Sequence, residues 1–112
     1  MKPGSGVTLT PALHHILLAL LAGERHGYAI MKDVEAITGG GMRLGPGTLY
    51  GALRRLLEGG LVEEAGERCA EGDERRRYYR ITGAGRQVLA AETARLQRLV
   101  AFAHDHLREA NA

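Results

Sequence analysis

The residues that could do chemistry are of two kinds: small groups of nucleophile or metal-ligand types, and larger groups of arginines. His14 and His15, and His104 and His106, are imidazole pairs on helical segments. Neither pair has a third ligand at the spacing a zinc site needs, so no metal is expected. Cys69 is the single cysteine; it has no resolving partner, and acidic neighbours disfavour its thiolate. Glu63 and Glu64 are adjacent on an expected strand and point to opposite faces, which rules out a paired-carboxylate mechanism. The glycines at 39–41 and 45–47 fit neither a phosphate-binding loop nor a dinucleotide turn. Neither catalysis nor a cofactor is expected.

The arginines are arranged differently. Arg54 and Arg55 lie in GPGTLYGALRRLLEGG (45–60), which reads as a helix, and Arg75, Arg76, Arg77 and Arg80 lie in RRRYYRIT (75–82), which reads as a strand. LVEEA (61–65) reads as the strand before it, so a helix is followed by a hairpin whose returning strand is basic. That order suits a grip on duplex DNA, with the helix in a major groove and the hairpin along neighbouring phosphates. An arginine there can hold guanine O6 and N7 with two hydrogen bonds, about 1–3 kcal/mol of base discrimination.

The elements that must position these groups follow from periodicity. Thr10 and Pro11 start a first helix, with a capping oxygen and a proline where no N–H is needed. Leu13, Ile16, Leu17, Leu20 and Leu21 give it one apolar face, and Gly23 stops it. His26, Gly27 and Tyr28 open a second helix with the stripe Ile30, Met31, Val34 and Ile37. Gly39, Gly40 and Gly41 break it. In the third helix, starting near Pro46 or Thr48, Leu49, Leu53 and Leu56 share the core side with Leu57 on a flank. Gly51, Arg54, Arg55 and Glu58 lie opposite, Thr48 falls toward Arg55, and Tyr50 stands at the flank. The hairpin pairs Leu61 and Val62 with Arg77 to Ile81. Tyr79 and Ile81 point inward, Arg76, Tyr78 and Arg80 outward, and Gly66 to Glu74 form an acidic loop at the tip. Thr82 caps a last helix running to about Glu109. In that helix Leu89, Thr93, Leu96, Val100, Ala103 and Leu107 form a heptad seam. Val88, Leu99, Phe102 and His106 make a second stripe. A chain this small cannot cover both, and an apolar face of that size marks a partner, most simply a second copy.

At 112 residues one domain is expected. With 45% hydrophobic residues but one Phe and no Trp, the interior must be aliphatic. The net charge of +2 says little, but the clustering of the arginines, with Glu63, Glu64, Glu67, Glu71, Asp73 and Glu74 nearby, decides where a polyanion is attracted. The longest apolar run, Ile16 to Ala22, is too short to span a bilayer. With no secretory leader before the first helical pattern and one cysteine, a reducing bacterial cytoplasm is the expected place, on the nucleoid when DNA is bound.

HGYAI in the second helix, GPGTLYGALRRLLEGGLV and RRRYYRITGAG together resemble the PadR family of bacterial transcriptional regulators, of the type with a short C-terminal helix. The likeness covers roughly residues 10–87, and three segments agree in order and spacing. It implies a winged helix-turn-helix that dimerises through its first and last helices, usually a repressor, in some members released by phenolic acids or flat hydrophobic drugs. Gly51 departs from the family pattern, in which proline often follows the tyrosine, and the wing tip is longer and more acidic than usual.

The expected fold is mainly α with a small β-hairpin: a flexible arm over 1–8, a winged helix-turn-helix over 9–82 and a dimerisation helix over 83–112. The candidate DNA contacts are Tyr28, Lys32, Thr48, Tyr50, Gly51, Arg54, Arg55, Arg75, Arg76 and Arg77. The candidate dimer contacts are Leu13, Leu17, Leu89, Leu96, Leu99, Val100, Phe102, Ala103 and Leu107. The expected partners are double-stranded DNA, a second copy and a small hydrophobic or aromatic effector at the dimer interface, with no membrane. A rival of another class is a winged-helix protein adaptor, which neither heparin retention nor a salt-sensitive DNA shift would accompany.

Overall fold

The structure, a computed structural model, describes residues 8–69 and 74–110. The expected arm over 1–8 therefore lies almost wholly outside the described residues, as does the centre of the wing tip. In chain order the elements are α1 (Pro11–Leu20), β1 (Arg25–His26), α2 (Gly27–Ile37), α3 (Pro46–Glu58), β2 (Val62–Cys69), β3 (Arg75–Ile81) and α4 (Gly83–Ala110). The result is a mainly helical fold with one small antiparallel sheet in the order β1-β3-β2.

Local chemistry sets the helix ends. Thr10 accepts the backbone N–H of Leu13 at 3.2 Å, and Pro11 fills the first turn of α1. At the start of α4 one hydroxyl does two tasks: Thr82 Oγ1 accepts from Gly85 N at 3.0 Å and donates to the Gly60 carbonyl at 2.7 Å. The end of α3 is thereby tied to the beginning of α4. The core is aliphatic, as the composition requires. Leu13, Ile16, Leu17 and Leu20 of α1 meet Ile30 and Val34 of α2, Leu49, Ala52, Leu53 and Leu56 of α3, and Leu61, Val62, Tyr79, Ile81 and Leu89. Burial at that scale is worth about 1.5–3 kcal/mol per large aliphatic side chain.

The sheet departs from the sequence reading in two ways. A third strand is present: Arg25 pairs with Tyr79 and His26 with Tyr78, fastened to α2 by Arg25 Nε donating to Asp33 Oδ2 at 3.1 Å. Two residues carry no readable alternation, so β1 had no signal of its own. Second, Gly66 to Cys69 are strand rather than tip loop, because Glu67, Arg68 and Cys69 pair with Arg77, Arg76 and Arg75. Between Glu64 and Glu67 the register slips by one residue, a bulge in which Gly66 has φ +90°. A side chain is strained at that φ, so glycine is what allows the strand to continue past the slip.

Leu13, Leu17 and Leu89, expected at a dimer interface, are instead interior residues of the single chain, none more than 3% exposed. All three belong to one core cluster with residues of α2 and α3, so α1 buries two residues that the family resemblance assigned to a partner and the start of α4 buries one that heptad spacing did.

His26 caps α2: its Nδ1 accepts the Ala29 N–H at 3.2 Å, which only a ring unprotonated at that nitrogen can do. Partial burial, then the nearby Arg76 and Arg25 charges, hold its pKa below the ordinary histidine value. The unfolded chain therefore takes up a proton more readily, and the cap's contribution is complete above about pH 6.5 and lost as pH falls through the lowered folded value. His26→Asn keeps a capping oxygen at every pH. Thermal melts should show that variant losing less stability than the parent between pH 7.5 and 5; equal losses would exclude His26 as the titrating cap.

Candidate nucleic-acid interface

Helix α3 turns its leucines inward and leaves Thr48, Tyr50, Gly51, Arg54, Arg55 and Glu58 exposed. Gly51 has open space where a Cβ would stand, so the backbone there is reachable by a groove edge. Among the described residues neither Arg54 nor Arg55 makes an ion pair. Two guanidinium groups without a protein anion are available to an external one. Arg55 also lies in the last turn of α3, where a cation complements the helix dipole.

Tyr50 is half exposed and leans from α3 toward the start of α2. A Cβ on Gly27 would come within 2.5 Å of its hydroxyl, so the ring occupies space that only a glycine leaves. Beyond it, Tyr50, Gly27 and His26 with Glu74, Arg75, Arg76 and Arg77 line a groove of about 290 Å³ between the third helix and the wing. Tyr79, beneath, is core; burial first, then the neighbouring Tyr50, pushes its phenol pKa up.

The other face of the wing looks onto α2. Tyr28 is half exposed, with the Lys32 ammonium and the Arg76 guanidinium each 5.5 Å from its ring centre. Together with His26, Ala29, Asp33 and Tyr78 these line a second groove of about 520 Å³. Its aromatic surface and two cations match the chemistry of a phosphate–sugar backbone.

The wing arginines are not free like those of α3. Arg75 Nε lies 3.7 Å from Glu67, Arg77 lies 3.4 Å from both Glu64 and Glu67, and Arg76 lies 2.6 Å from Glu74. Hydrogen bonding to Glu67, then the charge of Glu64, raises the Arg77 pKa. Farther back Arg80 meets Glu63 at 2.6 Å and Glu24 at 3.2 Å, and Arg68 meets Glu24 at 2.7 Å while covering Tyr78 at 3.8 Å. These two bonds, from Arg68 and then Arg80, hold the Glu24 carboxyl below its usual range.

Of the residues expected from the sequence, Tyr50 and the three wing arginines line the first groove, Tyr28, Lys32 and Arg76 line the second, and Thr48, Gly51, Arg54 and Arg55 are exposed on α3. Sequence reasoning missed His26, Gly27, Tyr78, Glu24, Glu64, Glu67 and Arg68. The alternation of acidic LVEEAGER with basic RRRYYR carries a signal for the cross-strand pairs, but only the bulge fixes which residues meet.

Among the described residues no group of three His, Cys, Asp or Glu could hold a metal ion, and no helix is long and apolar enough to cross a membrane. Cys69 is exposed at the end of β2 opposite Arg75. On α4, Leu96 is half-buried, whereas Leu99, Val100, Phe102, Ala103 and Leu107 are exposed, Phe102 stacking on His106 at 4.0 Å.

Comparison with known proteins agrees with this architecture. The chain is 44% identical over 84 residues to an uncharacterized 37.1 kDa protein in transposon TN4556 of Streptomyces fradiae, matching 75% of this chain and 22% of that protein. It therefore spans only about a fifth of that relative's length. It is 36% identical over 85 residues to the transcriptional regulator Rv3488 of Mycobacterium tuberculosis, covering 76% of this chain and 75% of that one. A PadR family transcription regulator from Clostridium difficile has the same fold, with a TM-score of 0.73 at 22% identity over 88% of this chain and 99% of that one. Bacillus subtilis PadR in complex with operator DNA gives 0.65 at 21% identity over 77% and 48% of the two chains. Residues 16–91, which hold α2, α3, the whole sheet and the start of α4, match the family model described as the transcriptional regulator PadR-like family, and the chain belongs to that family.

Proposed function

We propose that this regulator is a ligand-responsive repressor that binds a palindromic operator as a homodimer. In this reading residues 9–82 form the DNA-reading unit and 83–112 the dimerisation helix. The observation that carries it is the pair Arg54 and Arg55, exposed on α3 with no ion-pair partner among the described residues, on the helix whose Tyr50 lines a groove with the wing arginines. The operator complex of the related Bacillus subtilis protein supports the choice of duplex DNA over a protein partner.

Arg54 and Arg55 read base edges or clamp phosphates in the major groove, and Thr48 and Tyr50 flank them. Tyr28, Lys32 and Arg76 take the adjoining backbone on one side, and Arg75 and Arg77 take it on the other. Affinity comes mainly from phosphates displacing counterions, so it falls steeply with salt. Dimerisation uses Leu96, Leu99, Val100, Phe102, Ala103 and Leu107; Leu99, Val100, Phe102 and Leu107 are large apolar side chains more than half exposed, the kind of face that marks a partner site. Two-fold symmetry then sets the reading helices about 34 Å apart, one turn of duplex, which is why the operator is palindromic. An apolar effector fits the groove of about 320 Å³ where Leu21 of the α1 end meets Leu89, Ala90, Thr93 and Ala94 of α4. Filling it alters the angle of α4 and so the spacing of the two heads.

Arg54→Ala with Arg55→Ala should weaken operator binding at least thirtyfold, on about 1–3 kcal/mol per arginine, and leave the melting curve unchanged. Gel shifts at fixed salt measure this, and undiminished affinity rejects α3 as the reading helix. Leu99→Glu with Phe102→Glu should give a folded monomer in sedimentation equilibrium; a persistent dimer would mean that another face of the chain makes the pairing.

A further inference from the structure

A regular strand points residues three apart to opposite faces, so Glu64 and Glu67 should not share a side. The bulge at Gly66 inserts one residue and reverses the phase, bringing both carboxylates onto the face that carries Arg75 and Arg77. There they make three ion pairs of 3.4–3.7 Å, with all four side chains between 49% and 66% exposed. Two glutamates against two arginines leave this part of the wing without net charge, directly beside the groove that Tyr50 shares with Arg75 and Arg77.

Resting on the DNA-binding reading above, we infer that Glu64 and Glu67 are specificity-determining residues: internal counter-anions that hold Arg75 and Arg77 away from duplex of the wrong sequence. Exposed ion pairs of this kind are worth only about 0–1 kcal/mol each. A phosphate held in place by a fitted α3 displaces the carboxylates at small cost, and they swing into solvent. On mismatched DNA, where α3 does not seat, no phosphate is held close enough to compete, and this part of the wing presents a neutral surface. The glutamates thus weaken random binding far more than operator binding.

The test uses the full chain with Glu64→Gln and Glu67→Gln, a mixed-sequence 30-base-pair duplex, and a duplex selected by the wild type from a random pool, each titrated over a range of NaCl. Two uncovered arginines should steepen the mixed-duplex salt slope by about 2 and tighten that binding about tenfold near 0.15 M salt. The selected duplex should gain less, about threefold for three exposed pairs at roughly 0.2 kcal/mol each, which narrows the discrimination between them. Glu67→Gln alone, which frees Arg75 and loosens Arg77, should move both quantities the same way by a smaller amount, and serves if the double variant's hairpin is unstable. An unchanged slope and affinity for mixed duplex, or an equal gain on both duplexes, overturns the inference while leaving DNA binding intact. Failure of the wild type to bind any duplex overturns the DNA reading and the inference with it.

Discussion

Burial of Leu49, Leu53 and Leu56 against α1 fixes the rotation of α3 about its own axis, and the rest of the candidate surface depends on that angle. All three are within 1% of complete burial, which at about 1.5–3 kcal/mol each makes roughly 5–9 kcal/mol for the trio. Turning the helix by one residue's step would expose them and press Arg54 or Arg55 into an aliphatic interior, where an unpaired charge costs several kcal/mol more. No surface ion pair competes with terms of that size. The arginines face outward because the leucines cannot.

The wing is held by a different balance. Val62, Tyr79 and Ile81 anchor its base in the same core, and β1 closes its other edge. Beyond that base Tyr78 packs against His26 and under Arg68, and the two faces of the described hairpin are organised mainly by charge. The bulge at Gly66 sorts Glu64 and Glu67 to the α3 side, and Arg68 to the far side over Tyr78 and beside Glu24. Each such contact is weak, so the hairpin's shape is well defined near the core and its arginines remain exchangeable farther out. That combination suits a surface meant to trade its own carboxylates for phosphates.

The helices were legible in the sequence because burial imposes a 3.6-residue period, and Leu49, Leu53 and Leu56 display it cleanly. The caps Thr10 and Thr82 were legible for a similar reason, since the residue type carries the chemistry. What stayed hidden depended on register or on competition between faces. Strand β1 is two residues long and exists only because β3 offers a free edge. The strand character of Gly66 to Cys69 required a slip that composition does not reveal, and with it went the pairing of Arg75 and Arg77. Leu13, Leu17 and Leu89 carried a true apolar signal, but spacing alone does not say whether an apolar side chain faces its own chain or another. Packing of α1 and the start of α4 into the common core decides that, and the distal part of α4 keeps an uncovered face.

The central claim, that the outer side of α3 enters the major groove in two copies, is tested most directly by methylation interference at guanine N7 on a bound operator fragment. Interference should appear in two successive major grooves about one helical turn apart, and Arg54→Ala with Arg55→Ala should erase it in both. Interference confined to one groove, or none at any guanine while hydroxyl-radical cleavage still shows a bound minor groove, would contradict the account.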